Sequence, residues 1–525
     1  MSEPLPQSFE AITPKLSPET LQTIKDFGFT KPTDVQAQVI PPFLSHKDVI
    51  VQSQTGSGKT LSFLIPMFEM IKTAKESYNP REVYGVVISP TRELAQQTHS
   101  IALVFGNHFN LKVKLLIGGV ENSKVNEDLA EGANIIIGTA GRIEETLSDN
   151  LHDLDWKTVE VLILDEGDRM MEMGLAQAMG RIIKFLPKQR RTGVFSATIP
   201  DELNKLVIAG CRNPYKILLS TDNITPVSLV NEYVIVPYER RLQTLIHYLK
   251  TTKDKKIVVF VLTCDQVEYI SAVLHSLPQG EIPEEKRVLS IHGKAKQIYR
   301  DKALERFESL ESAVLICTDV VARGIDFVDV DCILQYDPPQ DPKTYVHRGG
   351  RTARMGTIGH SILFLAECEK AFILLMDRRG VKITGTTLVI SDEESLRLFT
   401  LVREATLKSK KLFVRSQAAF VSYVKGYGEH QCKFIFALKK LSLTDLAHGM
   451  CLIKLPFIKE VKKLQLKYAD EITTRISELY PKKETAETSP KNPQKRKNPN
   501  TGDYDRSKML KTEDTDSNSG SKDSN

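Results

Sequence analysis

Three short segments of this 525-residue chain carry side chains whose spacing could perform phosphate chemistry. The first is SQTGSGKT, which follows the apolar run DVIVQ and opens the apolar stretch LSFLIPMFEMI. A phosphate needs free backbone N–H groups, and a loop curled in front of a helix supplies them. Gly56 and Gly58 let the backbone wrap the anion, Lys59 would reach the terminal phosphates, and the Thr60 hydroxyl would hold Mg2+. The expected cradle is therefore Ser53, Gln54, Thr55, Gly56, Ser57, Gly58, Lys59 and Thr60, with Ser53 standing where the strict pattern has glycine. The second segment is VEVLILDEGD, in which five of the six residues before Asp165 are apolar. A carboxylate pair at the end of a buried run is costly to desolvate unless a cation compensates it. Asp165 would bind Mg2+ through water, and Glu166 would orient and deprotonate an attacking water. An acidic loop capping a strand is the alternative; beside a phosphate loop, hydrolysis of a phosphoanhydride is the reading. The third is YVHRGGRTARMG, where Arg348, Arg351 and Arg354 recur every three residues. On a helix they would share one face and repel one another, so an anion is expected there; a solvated basic helix is the alternative.

Such groups must be held by rigid elements. From about residue 33 to 220 short β-branched runs alternate with helical patterns: KDVIVQS, VYGVVISP, VKLLIGG, NIIIGTA, VEVLILDEGD and RTGVFSAT. A second series, KIVVFVLT, RVLSIHG, AVLICTD, DCILQYD and HSILFLA, runs from about 228 to 380. Alternation of this kind predicts parallel sheets covered by helices on both faces, with functional loops at the carboxyl ends of the strands. Between the two series CRNPYKILLSTDNITPVS reads as a hinge, so the cleft between the lobes can open and close. From about 385 to 480 the pattern is mostly helical, in EESLRLFTLVREATLKSKKLF and KEVKKLQLKYADEITTRISELY. Beyond Pro481 apolar residues almost vanish, and a disordered tail is expected. Its first part, residues 481–497, holds six basic and two acidic residues. The boundaries expected are an N-terminal segment to 36, a first lobe over 37–220, a linker over 221–227, a second lobe over 228–384, an extension over 385–480 and the tail over 481–525.

Composition narrows the class without deciding it. A surplus of five basic residues is compatible with nucleic acid but too small to argue for it. The seven cysteines form no CxxC pair and have no zinc-ligand spacing, so buried free thiols in a reducing compartment are expected. MSEPLPQSFE lacks the features of a secretory leader, and no apolar run approaches the length of a membrane helix, so an intracellular protein is expected.

Taken together, these segments resemble the DEAD-box ATP-dependent RNA helicases of superfamily two, over about residues 7 to 380. GFTKPTDVQ looks like the Q motif, whose Gln36 would read adenine, with Phe29 inside it and Phe9 as the upstream aromatic. SQTGSGKT looks like motif I. PTRELAQQ, the Gly118–Gly119 pair and TAGR look like the RNA-backbone motifs of the first lobe. DEGD and SAT resemble motifs II and III, and IVVFVLT resembles motif IV. HGKAKQIYR looks like the RNA-contacting element that follows, TDVVARGID like motif V and HRGGRTAR like motif VI. The resemblance implies an α/β fold of two tandem RecA-like parallel-sheet lobes, of the P-loop NTPase kind, with a mostly helical C-terminal extension. It implies ATP and Mg2+ as ligands and Arg351 and Arg354 as arginine fingers, with Gly324 and Asp326 also at the nucleotide. Asp168, Ser196, Thr198 and His347 would couple hydrolysis to unwinding. RNA backbone contacts would come from Pro90, Thr91, Arg92, Gly119, Thr139, Gly141 and Arg142 in the first lobe. Gly293, Arg300, Thr318 and Asp319 would provide them in the second, favouring RNA over DNA without base reading.

Gly167 replaces the alanine of the family tetrapeptide, Ser53 and Ala140 replace an alanine and a proline, and Gly349 replaces a larger apolar residue. None removes a charged group, so an active ATPase is expected. FVSYVKGYGEHQCKFIFALKKLSLTDLAHGMCLIKLPFIKEVK reads as a small helical domain with core aromatics. It resembles the extension of a nucleolar branch that acts on the large ribosomal subunit precursor. The resemblance thus implies pre-rRNA and pre-ribosomal proteins as partners, a nuclear and nucleolar address, no membrane and a monomer. An ATP-dependent RNA clamp with little unwinding activity, and a DNA-translocating relative, are the competing readings.

Overall fold

The computed structural model describes residues 5–53, 56–75, 77–149, 154–219, 229–319, 330–352, 359–464 and 466–480. Seven strands form the first sheet: β1 Val49–Gln52, β2 Gly85–Ser89, β3 Val113–Leu116, β4 Ile135–Thr139, β5 Val161–Asp165, β6 Arg191–Ser196 and β7 Tyr215–Leu218. Seven more form the second: β8 Leu229–Ile235, β9 Lys256–Phe260, β10 Arg287–Ile291, β11 Ala313–Cys317, β12 Cys332–Gln335, β13 Gly359–Leu365 and β14 Thr384–Gly385. All pairings are parallel, in the orders β3-β4-β2-β5-β6-β1-β7 and β10-β11-β9-β12-β13-β8-β14. The buried β-branched runs of the sequence are these strands, and helices cover both faces, as parallel pairing requires.

Strand order explains how distant motifs meet. β6 lies between β5 and β1, so the phosphate loop, the Asp165–Glu166 pair and Ser196 emerge side by side at the carboxyl ends of adjacent strands. Ser53 N donates to Ser196 O at 3.1 Å. Helices Asp34–Leu44 and Cys264–Ser276 begin with reciprocal capping boxes, Thr33 with Gln36 and Thr263 with Gln266, each satisfying two otherwise orphaned N–H groups.

The structure corrects several sequence expectations. The segment read as a hinge contains β7, which pairs with β1 through Val49 opposite Tyr215; the alternation there is too short to stand out against the prolines. The 221–227 linker itself and the 481–525 tail lie outside the described residues. KEVKKLQLKYADEITTRISELY is not helical throughout. Helix covers Lys459–Leu464 and Ile476–Leu479, because residues between them are claimed by tertiary bonds. Tyr468 Oη donates to Leu452 O at 2.9 Å, Ile472 N donates to Ile453 O at 3.0 Å, and Asp470 meets His448 at 2.7 Å. Nor is the extension an independent body up to that point. Phe420, Tyr423, Leu446 and Met450 share one hydrophobic core with Val259, Leu334 and Leu363 of the second lobe. The extension's buried aromatics are thus core, as read, while Phe434 and Phe457 are exposed.

Candidate active site

The phosphate loop is latched from behind. Thr33 Oγ1 donates to Ser57 O at 2.8 Å and Gln36 Nε2 donates to Gly58 O at 3.2 Å. Gly58 has φ +92°, and a Cβ there would lie 2.7 Å from Gln36 Nε2, so both handedness and space demand glycine. Gln36, expected at adenine, is therefore held by its own cap and by this loop. Ser57 Oγ donates to Ser53 Oγ at 3.2 Å. Lys59 opens helix Lys59–Ala74, with Thr60 next to it, and its Nζ donates to Ser53 O at 2.9 Å. Burial lowers the Lys59 ammonium pKa, while Glu166, Asp165 and Asp168 oppose that shift. Asp165 ends β5; burial, and then the Glu166 charge, push its carboxyl up to about 7. Glu166 follows with φ +49°, a left-handed conformation uncommon for a side chain of this kind. Phe29 is half-exposed, whereas Phe9 is buried in the first-lobe core.

Three of the four residues expected to couple the site form one hydrogen-bonded group. Asp168 N donates to Ser196 Oγ at 3.0 Å, while Asp168 Oδ2 accepts from Thr198 N at 3.0 Å and Thr198 Oγ1 at 2.9 Å. Across the cleft, Lys343 Nζ donates to the same Thr198 Oγ1 at 3.1 Å. His347 is buried in helix Pro342–Gly349 of the second lobe.

That helix overturns the expectation of three arginines on one face. It ends at Gly349, so Arg351 lies beyond it. Arg348 is fully buried and not free: it pairs with Asp319 through Nε at 2.6 Å and Nη2 at 3.0 Å, and donates to Asp337 O at 2.8 Å. A buried guanidinium requires such compensation. Arg351 is also buried, its Nε donates to His347 O at 3.3 Å, and its charge is felt at Lys59. The two lobes therefore bring Arg351 within electrostatic reach of the phosphate loop. Arg354, Gly324, Asp326, Gln54 and Thr55 lie outside the described residues.

The residues expected on the RNA side line both lobes. Thr91, next to Pro90, caps helix Arg92–Phe109. Arg92 lies over the glycine pair, where a Cβ on Gly119 would meet its Nη1 at 2.5 Å. Thr139 ends β4, Gly141 has open space around it, and Arg142 is held by Glu145 and Val120 O, each at 2.8 Å. Gly293 lies in the turn after β10, and Thr318 is buried beside Asp319. Arg300 pairs with Glu93, Gln297 Nε2 donates to Glu93 Oε1 at 3.1 Å, and Arg92 Nη1 donates to Gln297 Oε1 at 3.3 Å. Glu93, Gln297 and Lys343 were not singled out by the sequence; polar residues about 150 to 200 positions apart leave no local pattern.

Two parallel-sheet lobes, a phosphate loop with an acidic pair on one and a buried arginine on the other, define a nucleotide-driven helicase core. Family models agree: residues 33–206 match DEAD/DEAH box helicase, 240–356 the helicase conserved C-terminal domain, and 409–458 the ATP-dependent rRNA helicase SPB4-like C-terminal extension. The chain is 38% identical over 473 residues to DEAD-box ATP-dependent RNA helicase 18 of Oryza sativa subsp. japonica, covering 87% of this chain and 72% of that protein. It is 38% identical over 460 residues to ATP-dependent RNA helicase DDX55 of Gallus gallus, covering 85% and 76%. Mss116p bound to ssRNA and AMP-PNP superposes with a TM-score of 0.75 at 26% identity, over 88% of this chain and 95% of that one. The chain belongs to the DEAD-box family of ATP-dependent RNA helicases, enzymes that couple ATP hydrolysis to RNA binding. Among the described residues no helix is long and apolar enough to cross a membrane.

Proposed function

We propose that this protein uses ATP-driven lobe closure to open short RNA duplexes or remodel RNA–protein contacts during rRNA processing for the large ribosomal subunit. The reading rests on one observation above the rest: the helix just before Arg351 in the second lobe meets the first lobe beside Asp168, where Lys343 Nζ donates to Thr198 Oγ1 at 3.1 Å. In this reading Glu166 accepts a proton from the attacking water as its oxygen bonds the γ-phosphorus. The bond to the leaving β-phosphate oxygen breaks, and Lys59 and Arg351 oppose the charge that accumulates. Asp165 and Thr60 would hold Mg2+, chiefly through water; the donor set fits, because burial and Glu166 leave Asp165 short of compensating positive charge. Held there, a magnesium ion would help neutralise the negative charge of the nucleotide. Asp168, Ser196 and Thr198 link this chemistry to the RNA-facing residues.

The rRNA assignment is supported by the SPB4-like extension over 409–458. A nucleolar address, pre-ribosomal protein partners and a monomeric state follow from the same reading. Crosslinking the full chain to RNA in cells and sequencing the bound fragments tests it. Enrichment of large-subunit rRNA precursor is expected; reads spread in proportion to transcript abundance would overturn it.

A further inference from the structure

Helix Pro342–Gly349 begins at a firm cap: Asp341 accepts from Thr344 N at 2.9 Å and from Thr344 Oγ1 at 2.8 Å. The cap fixes where Lys343, the second residue of the helix, leaves the second lobe. Its ammonium, half-buried, donates to Thr198 Oγ1 in the first lobe at 3.1 Å. Thr198 spends its only hydroxyl proton on Asp168 Oδ2 at 2.9 Å, so the lone pair facing Lys343 is an acceptor. Among the described residues, the other donors to the Asp168 carboxylate are backbone N–H groups of Thr198 and Arg169. Lys343, Thr198 and Asp168 thus form a chain in which a cation polarises a hydroxyl whose proton is held by an anion. Each bond strengthens the other.

We propose that Lys343 is a positioning residue that ties lobe closure to the Asp168 carboxylate through the Thr198 hydroxyl. The chain exists only while the lobes are together, since its two ends belong to different lobes. When they part, Lys343 returns to water and Thr198 keeps only its anionic partner, Asp168. Closure is therefore favoured when Thr198 and Asp168 are correctly paired, and that pairing is strengthened when closure is complete.

The inference rests on the helicase reading above. It is tested by the affinity of a fluorescent single-stranded RNA for the full chain, by anisotropy, with AMP-PNP and without nucleotide. In wild type AMP-PNP should tighten RNA binding. Lys343→Met should weaken the AMP-PNP-dependent affinity about 5- to 10-fold, the range of one partly exposed charge-assisted bond. It should leave the nucleotide-free affinity unchanged, and Lys343→Arg should restore most of the loss. In a Thr198→Val background the Lys343→Met change should have almost no further effect. An equal loss without nucleotide would make Lys343 a plain phosphate contact, and additivity with Thr198→Val would break the chain; either overturns the proposal, as would wild-type affinity for Lys343→Met. If AMP-PNP fails to tighten RNA binding by wild type, the helicase reading falls and takes the proposal with it.

Discussion

Glu93 and Arg300 come from different lobes and are buried together, their side chains 2% and 7% exposed. Gln297 donates to the same carboxylate at 3.1 Å. Replacing Glu93 with Gln keeps an acceptor of the same shape and removes the charge. Breaking a buried pair outright costs about 3–5 kcal/mol, but here the open state returns both side chains to water, which lowers the difference. A charge-assisted hydrogen bond, about 1.5–3 kcal/mol, is the better measure of the closed-state loss. That corresponds to a closure constant lower by roughly 10- to 150-fold. A chain about 95% closed at saturating ATP analogue and RNA would fall to about 65% or less. Interlobe fluorescence transfer, with a donor on the first lobe and an acceptor on the second, reads this directly. The Glu93→Gln variant should show the fall while ATP-analogue binding in the absence of RNA stays near wild type. An undiminished closed population would refute the claim that this buried pair holds the lobes together.

Further outcomes follow from the same geometry. Because burial and Glu166 hold the Asp165 proton up to about 7, binding of magnesium nucleotide should weaken as pH falls below that value. Near pH 7, calorimetry in buffers of different ionisation heat should report release of roughly half a proton; Asp165→Asn should abolish the release, and a flat profile in wild type would contradict the assignment. Glu166→Gln should lower RNA-stimulated phosphate release by at least about a hundredfold while ATP and RNA still bind, so that the closed complex accumulates. Gly449→Ala would drive a Cβ to 1.8 Å from Tyr238 O, where the extension meets the second lobe. It should cost about 1–3 kcal/mol and lower the thermal midpoint by roughly 2–10 °C; an unchanged midpoint would show that the extension does not dock as described.

Much of the fold was legible because buried parallel strands are written as unbroken β-branched runs, as in NIIIGTA and VEVLILDEGD. β7 was lost among prolines, and β8 reads LVNEYVI, whose polar Asn231 and Glu232 interrupt the run. The chemistry of the phosphate loop was legible for a related reason: its requirements fall on consecutive residues, as the +92° φ of Gly58 illustrates. What the sequence hid was partnership at a distance. Spacing alone gave Arg348 and Arg351 one role, yet the helix end at Gly349 separates them, and Arg348 is taken up by Asp319. The helical pattern after residue 458 was real locally but yielded to the bonds of Tyr468 and Ile472. Lys343 carries no motif, and Gln297 sits unmarked inside HGKAKQIYR; their partners Thr198 and Glu93 lie in the other lobe.

The bridge between Lys59, the Asp165–Glu166 pair and Arg351 is tested most directly by single-turnover phosphate release at saturating RNA. Arg351→Ala should slow the chemical step by at least about a thousandfold, the range of an arginine finger, with ATP affinity changed far less. Release by Arg351→Ala at the wild-type rate would show that the second lobe takes no part in hydrolysis.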